Sequence, residues 1–110
     1  MKPAHERTFR QYVDARNRAV AAEYGVTIAE ASTCYSEHDD RQHYFRAILS
    51  AWSEGVVIRR QVLDNLTAGE WYRLCHDYPD AARAAVARGY LRPGVRALNR
   101  AHSAAMRGTA

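Results

Sequence analysis

The residues best placed to do chemistry are four arginines near the C-terminus: Arg92, Arg96, Arg100 and Arg107. At about 100° per residue, a helix over this stretch gathers them within an arc of roughly 80°, with Ser103 inside the arc and Asn99 at its edge. Val95, Leu98, His102, Ala105 and Met106 fall on a separate arc suited to face a core. No Asp or Glu follows residue 80, so the ridge has no local acid. Such a ridge can clamp phosphates, releasing counterions and making binding salt-dependent, or steer the chain onto an acidic protein surface. It can equally pair with the first eighty residues, which hold ten basic and twelve acidic side chains. Arginine supplies fifteen of the sixteen Lys and Arg residues. That bias suits bidentate recognition of carboxylate or phosphate, and it also follows from GC-rich coding.

Other chemistry-bearing residues form weaker patterns. Cys34, His38 and His43, with Cys75-His76 further on, are zinc-ligand types, but no paired C-x₂-C accompanies them and their spacing fits no zinc finger. His38-Asp39-Asp40 resembles part of a hydrolase metal site only as a lone triplet, so no metal and no cofactor are expected. There is no Gly-rich phosphate loop and no nucleophile elbow. Cys75 and His76, adjacent on a helix, point about 100° apart and make no dyad. An enzyme is not expected. Arg59–Tyr78 has the size of a helix-turn-helix, yet its second helix would carry acids at both ends, Glu70 and Asp77, with Arg73 alone suited to base contact.

The elements that must position these residues read as helices. Phe9, Tyr12, Val13, Val20 and Tyr24 recur at spacings of three and four, predicting one long amphipathic helix over 4–24 that Gly25 stops. Thr27 with Glu30 is a capping box for a short helix to about Tyr35. Ser36 with Asp39 introduces a helix bearing Tyr44, Phe45, Ile48, Leu49 and Trp52, which Gly55 ends. Val56-Val57-Ile58 lacks a pairing partner and reads as a connector. Arg59–Leu66 is a short helix, and Thr67 with Glu70 opens another that presents Trp71, Leu74, Cys75 and Tyr78. Pro79 breaks it; residues 80–88 follow with Val86 inward and Gly89 as stop, and Pro93 starts a last helix to about Arg107.

Together these predict a single all-α domain over residues 1–110, a compact orthogonal bundle of six or seven helices. The longest apolar runs are far short of the ~20 residues that span a bilayer, so no membrane role is expected. Two cysteines and an N-terminus running straight into charged residues predict a cytoplasmic protein with free thiols. What remains is binding. The expected function is a small regulatory or inhibitory module that docks on and occludes another protein, with Tyr44 and Trp52 as aromatic anchors and Arg92, Arg96, Arg100 and Arg107 as the steering ridge. A homodimer is compatible with this reading. The alternative is a DNA-binding regulator whose arginine ridge holds phosphates.

Overall fold

Hydroxyl residues decide where the helices begin. The computed structural model describes residues 2–90 and Arg92. Thr8, Thr27 and Thr67 each accept from the backbone N–H three residues on, while the side chain there (Gln11, Glu30, Glu70) accepts from the threonine N–H, so three capping boxes close. They open α1 (Phe9–Tyr24), α2 (Ile28–Ser32) and α5 (Ala68–Asp77). Ser36 accepts from Asp39 N–H at the start of α3 (Glu37–Ser53), and Pro79 at the first position starts α6 (Pro79–Ala87). Between α3 and α5 lies the five-residue α4 (Arg60–Asp64), and a 3₁₀ turn over Ala4–Glu6 precedes α1. Gly25 ends α1 in the left-handed region at φ 66°, where an L side chain would be strained.

Among the described residues the protein is all-helical and without strands, and none of their helices is long and apolar enough to cross a membrane. Val56-Val57-Ile58 is a connector, with Val56 and Val57 exposed and Ile58 buried. The stretch expected as one helix over 4–24 is instead interrupted, because Arg7 and Thr8 adopt extended backbone and the Thr8 box restarts the chain. The second helix stops at Ser32 rather than near Tyr35. The last helix expected over 93–107 lies outside the described residues.

The core is built on α3. Tyr44, Phe45, Ile48, Ala51 and Trp52 form its buried stripe, against Ile58, Val62, Leu63 and Leu66, then Trp71, Leu74 and Cys75 of α5, Ala82 and Ala85 of α6, and Tyr90. Rings run through it in contact. Phe9 and Tyr12 each stand 5.5 Å from Tyr44, Trp52 is 6.0 Å from Trp71 in an edge-to-face arrangement, and Trp71 is 5.3 Å from Tyr90. Buried as it is, the Trp52 Nε1–H finds no acceptor among the described residues.

Three expected inward residues are not inward. Tyr24 is 69% exposed because the end of α1 is covered only by the short α2. Tyr78 is exposed at the junction where α5 ends and α6 begins. On α6 the small side chains of Ala82 and Ala85 face α5, a close approach that turns Val86 outward at 49% exposure.

Trp52→Ala is expected to cost about 3–5 kcal/mol of unfolding free energy, the range for deleting a buried aromatic. Val86→Ala should stay within about 0.5 kcal/mol. Urea unfolding of the two variants checks the assignment; equal losses would contradict it.

Candidate functional site

Asn65, at the end of α4, ties three helices together directly and a fourth through Arg41. Its Oδ1 accepts from the Phe9 N–H at 2.6 Å, satisfying a first-turn donor of α1 from across the molecule. Its Nδ2 donates to the Val62 carbonyl and to Tyr44 Oη at 3.2 Å. Tyr44 in turn donates to the Arg7 carbonyl at 2.5 Å, and burial pushes its phenol up, keeping the proton on that bond. Arg41 donates from Nη2 to the Asn65 carbonyl at 2.9 Å and pairs with Glu70 through Nη2 at 2.5 Å and Nε at 3.2 Å. Its guanidinium also lies 4.5 Å from the Phe9 ring centroid. Glu70 therefore serves twice, closing the α5 capping box and neutralising Arg41.

Beside this hub, α3 and the first turns of α5 leave a groove of about 450 Å3, open to solvent and within the usual size of a binding cleft. Phe45 floors it, His38, Gln42 and Arg46 form the α3 side, and Gly69, Glu70 and Arg73 the α5 side. The Arg73 guanidinium stands 5.7 Å from the Phe45 ring centroid. Arg73 also reaches Asp77 at 3.4 Å, an exposed pair one helical turn apart and so a weak hold. Asp77 is shared with His76 Nδ1 at 3.1 Å, and that hydrogen bond first, then Arg73, holds its carboxyl below the usual range. Arg46 is exposed with no hydrogen-bond or ion-pair partner among the described residues.

The structure redistributes the residues that the sequence singled out. Tyr44 and Trp52 are core residues at 0% and 2% exposure, because Tyr44 packs against Phe9 and Tyr12 of α1 and Trp52 against Trp71 of α5; as they stand, neither is open to a partner. Arg92 is buried as well, at 9% exposure: its guanidinium donates to the Leu63 carbonyl at 3.0 Å and to the Leu66 carbonyl, covering acceptors at the end of α4. It is thereby withdrawn from a surface ridge. Arg96, Arg100 and Arg107 lie outside the described residues. Cys34 is exposed and Cys75 buried, and burial pushes the Cys75 thiol up to about 11 against the pull of Arg92, which makes it a poor nucleophile or metal ligand at neutral pH. No metal-sized cluster of His, Cys, Asp or Glu occurs among the described residues.

Several groove residues stand out in sequence for other reasons, His38 as a ligand type, Phe45 in the apolar stripe and Arg73 as a base-contact candidate, but not as one site. His38, Gln42, Phe45 and Arg46 are spaced four, three and one apart, the flank of the α3 stripe, and Thr67-x-x-Glu70 places a helix start. That these two meet is a tertiary fact. Comparison with protein-family models, with curated proteins and with solved structures finds no match for this chain.

Arg92→Met keeps the apolar stem and removes the guanidinium, leaving two buried carbonyls short of a donor. A loss of about 1–3 kcal/mol is expected in urea unfolding. Full retention of stability would mean that Arg92 is free at the surface.

Proposed function

We propose that this protein is a non-enzymatic docking module that regulates or inhibits another protein by occupying part of its surface. The observation that carries this reading is the α3–α5 groove, an apolar floor at Phe45 between exposed arginines 46 and 73, with a hub at its side that fixes the walls. The anchoring role given in sequence to Tyr44 and Trp52 passes to the groove, since both rings are committed to the core. Interfaces favour this composition: arginine and aromatic side chains at the centre, polar residues at the rim. Short links between helices favour a compact orthogonal bundle as the scaffold, and a homodimer remains compatible with the groove. The DNA-binding alternative, which rested on the C-terminal arginine ridge, is less favoured because Arg92 faces inward.

A photo-crosslinking residue placed at Gln42, inside the groove, and another at Glu23, on α1 outside it, test the reading in the producing cell. Crosslinking at position 42 to one discrete protein, insensitive to nuclease and absent when Gly69→Trp fills the groove, is the expected result. Equal labelling at both positions, or a crosslink that nuclease removes, would refute docking through this groove.

A further inference from the structure

Resting on the docking reading, we infer that the groove receives an acidic segment of the partner protein, which sets a carboxylate between Arg46 and Arg73 and an apolar side chain over Phe45. The charge balance inside the groove leads there. Arg41 and Glu70 cancel each other at 2.5 Å, and Glu70 also accepts from the Thr67 N–H at 2.8 Å. His38 is engaged with Gln42 at 3.1 Å. What is left over is positive: Arg46 has no partner among the described residues, and Arg73 shares an exposed aspartate with His76. A carboxylate arriving there would meet two donors beside a buried ring, where charge-assisted bonds are shorter and stronger than neutral ones.

Gly69 adds an independent reason to expect a chain passing along the α5 wall. It sits within α5 in ordinary helical backbone, and a Cβ built there would meet nothing within 4 Å. No neighbouring atom excludes a side chain at this first-turn position, so the fold itself does not call for glycine there. Its effect is to keep that wall low, so that a peptide backbone can approach the helix closely. The N–H of Gly69 also lacks an intrahelical acceptor by its position in the first turn, which suits an acceptor on the arriving chain. A nucleic-acid backbone fits less well. A row of regularly spaced phosphates would run on past the arginines towards the exposed Asp77, where a single carboxylate need not, and Phe45 offers a narrow apolar floor in place of a stacking platform.

Selection of a random twelve-residue peptide library on the full chain tests this, with binders sorted by their response to Arg46→Glu and Gly69→Trp, and with a labelled random DNA duplex titrated alongside. Both variants are surface changes that should keep the helical spectrum and thermal midpoint, and this is checked first. The expected binders carry Asp or Glu beside a large apolar residue, weaken about tenfold on Arg46→Glu, and are lost on Gly69→Trp. Apolar binders without acidic enrichment, still lost on Gly69→Trp, would overturn the acidic inference and leave docking standing. Binders indifferent to both variants, or duplex binding that falls on Arg46→Glu while no groove-dependent peptide emerges, would overturn both.

Discussion

Asn65 is the residue on which the arrangement of helices turns. Helices of five residues, as α2 and α4 are, have no stability of their own in water, since nucleation outweighs the few bonds they gain. They persist because something outside them satisfies their ends. Asn65 does this for two elements at once, accepting from the first residue of α1 and donating into the last turn of α4, while its carbonyl holds Arg41. Because these groups are part-buried, each would carry a desolvation penalty if its partner were removed, so the network stabilises the fold as a unit rather than bond by bond.

A second polar junction repeats the device at the middle of α1. Arg16 and Asp40 pair at low exposure, Asn17 accepts from Arg16 at 2.9 and 3.2 Å, and the Arg16 guanidinium lies 3.9 Å from the Tyr35 ring centroid. Here α1, the α2–α3 link and α3 are fastened together. Between the two junctions the ring contacts of Phe9 and Tyr12 with Tyr44 provide the apolar part of the same seam. The long helix α1 is thus held by polar groups at two points, and α3 carries partners for both.

Much of the fold was legible in sequence because its signals are local. Thr27-x-x-Glu30 and Thr67-x-x-Glu70 mark helix starts by chemistry that needs only three residues, and the α3 stripe is a matter of period. Thr8-x-x-Gln11 was equally legible, but the apolar period running through it hid the break at Arg7. The site was less readable. Helical spacing groups Arg92 with later arginines, yet its fate is set by two carbonyls 26 and 29 residues away, for which no sequence period exists. Tyr44 and Trp52 look alike as anchors or as core in any pattern, and only the facing helices decide between them. The groove depends on Gly69 meeting the flank of α3, a pairing of one missing side chain with a surface more than twenty residues earlier.

Trp52 and Trp71 are the two indoles of the chain, one on each of the helices that wall the groove, and they touch edge to face at 6.0 Å. Indole emission moves to longer wavelength when water relaxes around the excited ring, and both rings are almost wholly shielded from water. The protein's own fluorescence is therefore a spacing gauge between α3 and α5, with no label attached. Light from this pair would stay blue while the two helices keep their contact, and would redden with any event that levers them apart.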